Sequence, residues 1–405
     1  MLAKIAWRNI WRNKLRSGVV IISIAIGLWA GIFASGIIKG VNQQRMVNII
    51  NTQSSHIQIH YPGFTNNYEI DKLIDKPDVV NGLLEGNEEV KGYSERLVLN
   101  GMVASASNQQ PVQIKGVVPE KELSVSPLNN FIVEGEYFEG TKRNPVLIGK
   151  ALADKLKLKV RKKLVVSFQN ADGDFTKLSC RVAGIYNTND ARYDQLTLFM
   201  RQSDLARTAS LQGKAHEYAI ILKNEDNLEA VSEELSKALP DLLVENWKQL
   251  MPGFDYANKV SARMNYLLLI ILLAAMSFGI INTMLMAVLE RVRELGMLMA
   301  VGMNRGKIFG MILLETLFLM LTALPIGLLA GWGAVTYFGK FGLDFGEGFD
   351  DAFQSVGMSS KIYPFLEWDY YPVVIVLVVI AAFLAALYPA RKATKLNPAE
   401  AIRKI

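Results

Sequence analysis

The chain has 405 residues, 51% hydrophobic and 20% charged, with a formal net charge of +6, one cysteine and three histidines. Cys180 alone cannot close an intrachain disulfide, and three histidines leave little material for a metal or Ser/His/Asp centre. The positive surplus does not mark a nucleic-acid surface, because residues 40–262 carry 26 basic and 28 acidic side chains and the excess sits in short flanks of apolar segments.

Residues 2–16 read as an amphipathic helix on a membrane surface: Lys4, Arg8, Arg12 and Arg16 recur every four residues, as do Trp7 and Trp11. An apolar stretch, Gly18–Ile38, follows. It reaches the length of about 20 residues that a hydrocarbon core requires and exceeds the apolar core of about 7–15 residues in a signal peptide, so it reads as an uncleaved anchor.

More than two hundred residues of mixed α/β pattern come next. Expected strands are His56–His60, Leu97–Leu99, Met102–Ala106, Val112–Val118, Val146–Ile148, Leu164–Phe168, Leu178–Tyr186, Gln195–Met200, Glu217–Leu222 and Leu242–Glu245. Helices are expected at Lys150–Leu158, Gln202–Ser210 and Asp226–Leu239, and Asp172-Gly173 signals a hairpin. Two lobes are expected, one from 43–120 with 214–250 and a mostly-β one from 121–213. Cys180 reads as a small buried apolar residue. His56 and His60 share a strand face about 13 Å apart, too far for one metal ion.

Three further apolar stretches close the chain: Tyr266–Leu289, Ile308–Phe338 and Tyr371–Leu387. The fold class is therefore a membrane protein of four transmembrane helices with a large extracytoplasmic α/β domain inserted between the first and second. Its expected divisions are 1–17 interfacial helix, 18–39 first span, 40–257 outer domain and 258–289 second span with an outer extension. A loop at 290–307, a third span at 308–338, an outer loop at 339–370, a fourth span at 371–389 and a tail at 390–405 complete it. Lys4, Arg8, Arg12, Lys14 and Arg16, then Arg291, Arg293, Arg305 and Lys307, then the basic tail, place both termini and the 290–307 loop in the cytoplasm. The acidic 339–370 loop and the insert fall outside.

The segment Glu290–Gly302 reads as a short helix with Leu295, Leu298, Met299 and Gly302 at i, i+3, i+4 and i+7, suited to dock on a soluble partner; Gly302 and Asn304 can end it. Glu315 lies about two turns into the third span and is read as a partner of Arg291 or Arg293. Gly327 and Gly331 have the small-xxx-small spacing of close helix packing, expected here within a dimer, and Pro325 permits a kink. Pro389 ends the fourth span, and Asn397-Pro398-Ala399-Glu400 opens a last short helix. The Gly302–Ile308 run is no phosphate loop, having three residues between its glycines and Ile308 where Ser or Thr is required.

Three sets of residues carry a family resemblance: Ala6-Trp7-Arg8-Asn9-Ile10 with Arg16-Ser17; the Glu290–Gly302 loop; and Pro389-Ala390-Arg391-Lys392-Ala393 with Pro398-Ala399-Glu400-Ala401-Ile402-Arg403. In the insert, Ile148–Ala153 and Val182–Tyr186 add to it. The chain resembles ABC transporter permeases of the family that includes MacB, LolC, LolE and FtsX, over its whole length. The resemblance implies a bacterial inner-membrane protein with a porter-like and a distal periplasmic lobe, no cofactor and no enzymatic activity of its own. Partners implied are a separate ABC ATPase dimer, a second permease copy or relative, membrane lipids, and a periplasmic carrier or adaptor, but no nucleic acid. It makes Glu290, Arg291, Arg293, Glu294, Leu295, Gly296, Leu298, Met299 and Gly302 the ATPase-coupling segment and implies mechanotransmission rather than a channel. Substrate is expected near Phe33, Ile37 and Leu268, with Glu315 the intramembrane carboxylate. The layout is nearest the lipoprotein-releasing permeases, though the Gln169–Lys177 hairpin is short for a carrier-capturing hook. The alternatives are a MacB-like exporter of peptides or antibiotics and an FtsX-like regulator of a cell-wall hydrolase.

Overall fold

The computed structural model describes residues 2–140, 143–355 and 357–395, and the helix expected from Asn397 lies outside them. The chain forms two units, Met1–Gln43 with Asn258–Asp344 and Lys361–Ile405, and Gln44–Ala257 with Phe345–Ser360. The loop expected at 339–370 is thus divided: its middle belongs to the same unit as the large insert.

The first unit is helical. Helix α1 (Leu2–Arg12) ends at Asn13, and α2 (Lys14–Ile49), α3 (Pro252–Glu290), α4 (Val292–Ala300), α5 (Arg305–Phe341) and α6 (Tyr370–Thr394) follow. Helices α2, α3, α5 and α6 are long and apolar enough to cross a membrane. At about 1.5 Å per residue, α2 measures about 54 Å against a hydrocarbon core of about 30 Å. Helix α1 is docked rather than merely surface-bound. Ala6 and Ile10 are buried in the helical core, and Trp7 meets Phe318 of α5 edge-on at 5.5 Å. Pro389 lies inside α6, which continues to Thr394 instead of stopping there.

Gly327 and Gly331 pack against α2 of the same chain, which replaces the dimer contact expected from their spacing. A Cβ on Gly327 would stand 2.9 Å from the Ala25 carbonyl oxygen, and one on Gly331 3.0 Å from Ile32. The helices approach closely because the side chains are missing, and that spacing names no partner.

The second unit is built on one ten-stranded sheet. Its strands are β1 (Ile57–His60), β2 (Val90–Ala104), β3 (Gln109–Val117), β4 (Ile132–Gly135), β5 (Pro145–Gly149), β6 (Lys163–Gln169), β7 (Phe175–Tyr186), β8 (Thr197–Arg201), β9 (Glu217–Leu222) and β10 (Leu243–Asn246). The order is β10-β1-β9-β2-β3-β8-β5-β7-β4, with β6 beside β2 and β7. The two expected lobes therefore share a sheet, and the fifteen-residue β2 joins them. Its first half pairs with β9 and its second with β6. Leu97, Leu99 and Val103 already belong to the core of the distal part, so that part begins within β2 and not at residue 121.

Sequence patterning splits β2 in two at Asn100-Gly101, a pair that reads as a turn. In the structure Gly101 stays in the strand, and its bare backbone admits β6: a Cβ there would lie 2.6 Å from the Ser167 carbonyl oxygen. Helices Pro77–Gly86 and Pro119–Val125 add to the expected elements, each opening on a proline at its first turn, a position that favours a helix start. Residues 191–196, expected partly as strand, are helical because Asp190 caps the Arg192 and Tyr193 amides at 3.1 and 3.0 Å. Cys180 is buried, which pushes its thiol up to about 12.

One face of the sheet carries a buried polar row. His60, Glu217 and Arg96 stand opposite one another across β1, β9 and β2. Arg96 donates from Nε and Nη2 to both oxygens of Glu122 (3.0 and 2.6 Å) and from Nη1 to Glu217 Oε1 at 2.7 Å. Burial by itself would raise the Glu217 pKa, but His60 and the Arg96 guanidinium hold it far below the usual carboxylate range. His56 accepts the Leu222 amide at Nδ1, 2.9 Å. Among the described residues no His, Cys, Asp and Glu side chains group into a metal site.

Arg96→Met would strand two buried carboxylates, a loss of about 3–5 kcal/mol. Denaturant unfolding of the purified chain should show that loss. Replacing Glu122 and Glu217 by leucine in the same variant should restore most of it, and a single-variant loss below about 1 kcal/mol would contradict the assigned role.

Candidate functional site

Helix α3 stops at Glu290 because Arg291 leaves helical geometry, with φ −102° and ψ 16°. Helix α4 then runs nine residues to Ala300, and the chain turns at Gly302, whose φ of +102° suits glycine. Asn304 does not end α4. It starts α5, its side chain accepting from the amides of Gly306 and Lys307 at 2.5 and 3.4 Å.

Around this corner lies a network of charge. Arg291 Nη1 donates to Glu315 Oε1 and Oε2 at 3.1 and 3.3 Å, and Nε to Glu294 Oε2 at 3.0 Å. Asn9 Nδ2 of α1 donates to Glu315 Oε1 at 2.6 Å. Arg12 Nη2 reaches Glu294 Oε1 at 2.5 Å, a hydrogen bond that holds the Glu294 carboxyl below its ordinary pKa. Arg16 pairs with Glu290. A cleft of about 290 Å³ opens among these side chains. Of the two partners expected for Glu315, Arg291 is the one found, and Arg293 is exposed.

Arg12 and Arg16, expected at the membrane surface, are instead contributors to this network, and Asn9, expected only as part of the family motif, joins them. A signal was present. Arg12 and Arg16 are four apart, as are Glu290 and Glu294, so the two pairs can meet as two rungs of a ladder.

The apolar face of α4 is also reassigned. Leu295 is 2% exposed, Gly296 is buried, and Leu298 and Met299 pack against the helical core. The periodicity that looked like a docking face holds α4 to its own chain. What remains outward is Arg293, Met297, Ala300 and Val301, the last 89% exposed.

Phe33, Ile37 and Leu268 are not part of this network. Phe33 is 17 residues beyond Arg16 on α2, about 25 Å along the helix axis. It stacks on Trp29 at 5.8 Å and meets Phe338 at 5.5 Å, while Ile37 and Leu268 are half-buried.

Residues 17–238 match the family model of the MacB-like periplasmic core domain, and residues 266–398 that of the FtsX-like permease C-terminal. The chain is 25% identical over 338 residues to the lipoprotein-releasing system transmembrane protein LolE of Haemophilus influenzae, covering 79% of each chain. It is 23% identical over 429 residues to the lipoprotein-releasing system transmembrane protein LolC of Neisseria meningitidis, covering 97% of this chain and 95% of that one. Against the macrolide export ATP-binding/permease protein MacB of Escherichia coli it is 21% identical over 337 residues, 78% of this chain but 49% of the relative.

Removing Arg291 alone leaves the Glu315 carboxyl among apolar helices with the Asn9 amide but without its cation. Arg291→Met is expected to cost more than Arg291→Met combined with Glu315→Gln. A double-mutant cycle on detergent-solubilised protein should give a coupling of about 0.5–3 kcal/mol. Strict additivity would mean that the pair is not coupled.

Proposed function

We infer from one premise, that the chain belongs to the family of ABC transporter permeases with a MacB-like periplasmic core domain, that it transmits the work of an ATPase carried on a separate chain. We further propose that this work extracts lipoproteins from the outer leaflet of an inner membrane. The observation that carries the second step is the nearly end-to-end alignment with LolC, against half of a MacB chain whose name joins ATP-binding to permease.

Helix α4 supports the ATPase contact. Its inner side is committed to the core, and its outer stripe of Arg293, Met297, Ala300 and Val301 sits beside a network that fixes how α4 is held. A push on that stripe would load α3 and α5, which flank α4 in the chain, together with α1 through Asn9 and Arg12. With both termini cytoplasmic, as the basic flanks favour, α4 faces the ATPase and the large domain lies in the periplasm. Phe345–Ser360 folds with that domain, which agrees with an arrangement that puts the loop between α5 and α6 on the same side. Two permease copies, or this chain and a relative, would complete the transporter. The hairpin between β6 and β7 turns within 170–174, too short for the hook-type capture of a carrier.

The spans suit this role better than a polar conduit would. Glu315 is committed to Arg291 and Asn9, so it does not line a path. Acyl chains need only an apolar surface, which Phe33, Ile37 and Leu268 offer without any charge to desolvate.

Val301→Asp puts an unpaired charge at the proposed contact, without disturbing a residue packed in the core. Co-purification of the ATPase should fall at least tenfold while the permease inserts and folds normally. Undiminished co-purification would remove α4 from the contact. Photo-crosslinkers at Leu268 and Ile37 should trap a lipoprotein, and one at Leu289 should not. Preferential trapping at Leu289 would contradict extraction from the outer leaflet, and trapping of a soluble peptide or drug instead would favour export.

A further inference from the structure

The second unit contains a cavity of about 690 Å³ that the transport reading does not use. Its volume lies in the range of about 300–1,000 Å³ typical of small-molecule pockets. Lys115 of β3 lines it while being only 5% exposed. The register accounts for the placement. Arg96 stands opposite Val117, and Lys115 is two residues from Val117, so it shares a sheet face with Arg96, Glu217 and His60.

Lys115 is the member of that row with no carboxylate at ion-pair distance; Glu217 and Glu122 act on it only from farther away. The Arg96 fork is spent on Glu122 and Glu217, and Glu217 Oε1 is spent on Arg96. Among the described residues no carboxylate lies within ion-pair distance of Lys115 Nζ and no acceptor within hydrogen-bond distance. Its sole close partner is the Tyr193 ring, 5.6 Å from Nζ to the centroid. Burial lowers its pKa to about 8, so most of it is still an ammonium ion at neutral pH. A buried cation with no acceptor is costly, and Lys115 is part of the cavity wall.

The same cavity holds the opposite deficiency. Glu245 of β10 lines it, and its Oε2 is buried with no hydrogen-bond donor; the closest candidate, His60 Nδ1, is 3.9 Å away and is itself without a partner. Asp190, also on the wall, is already satisfied by Gln53 and by the amides it caps. Leu250, Met251 and Pro252 supply an apolar side. An ammonium without an acceptor, a carboxylate oxygen without a hydrogen bond and an apolar wall describe one kind of occupant.

We propose that this cavity binds a small organic oxyanion that also carries an N–H or O–H donor, its anionic group on Lys115, its donor on Glu245 and its apolar part against Leu250–Pro252. An amino acid and a hydroxylated phosphate ester both have this chemistry. The site is independent of the ATPase contact, so its test does not depend on the transport reading.

The test is calorimetric titration of the full chain in lipid nanodiscs with two probes, L-leucine and glycerol 3-phosphate. Saturable binding of L-leucine identifies a carboxylate site, and binding of glycerol 3-phosphate a phosphate site. In either case Lys115→Gln should weaken binding about tenfold or more, the value of one charge-assisted hydrogen bond. Glu245→Gln should weaken it as well, and the unfolding temperature of each variant shows that the fold persists. Two results overturn the proposal: no saturable binding of either probe at millimolar concentration, or binding that Lys115→Gln leaves unchanged.

Discussion

A carboxylate placed inside an apolar helix must be neutralised or paired, and that constraint organises the helical unit. Glu315 sits nearly three turns into α5 with a side chain 9% exposed, and it is held by Arg291 from the α3–α4 corner and Asn9 from α1. Because the charge cannot be left bare, the corner and the N-terminal helix are both drawn to one point on α5. The ladder of Arg12 with Glu294 and Arg16 with Glu290 then adds orientation more than energy, since it is largely exposed to solvent. The corner that would meet an ATPase is thus fastened to the elements that would have to move.

Packing does the rest within that unit. Leu295 fixes the inner side of α4, and Ala6 and Ile10 fix α1. Gly327 and Gly331 allow α2 and α5 to come into backbone contact, a form of association that works in a membrane, where apolar burial alone does not draw helices together. By contrast, α3 has little of its apolar window covered, and its exposed Leu267, Ile270, Ile271 and Phe278 are free for lipid or a second permease.

The sheet unit meets the same problem of buried charge and solves it twice, differently. Arg96 is saturated by two carboxylates, which makes the junction between β9 and β2 rigid and specific. Lys115, one strand away, is buried near the same carboxylates without a hydrogen bond to either. One charge supports the fold, and the other is kept available at its expense, a pattern more usual of binding sites than of cores.

Four apolar segments of about 20 residues or more, an acidic loop and an intervening domain of ordinary composition are properties of local sequence, and they carried the fold class by themselves, whereas the family was legible only in motifs such as Ala6–Ile10 and Glu290–Gly302. The strand Glu217–Leu222 was also legible, with the same ends in the structure, because a short run rich in aromatic and β-branched residues is too brief for a helix. Periodicity also identified α4 as a helix, but not which way it faces: Leu298 and Met299 would look the same whether they met a partner or their own core. The pairing of Arg12 and Arg16 with Glu294 and Glu290, the partner of Gly327, and the placement of Lys115 and Glu245 on one cavity join residues 130 to more than 300 positions apart. Hydrophobic length and alternation are set by each segment's own solvent preference and can be read residue by residue. Which charge finds which counter-charge, and which is left without one, depends on register and helix packing, and only the folded chain decides it.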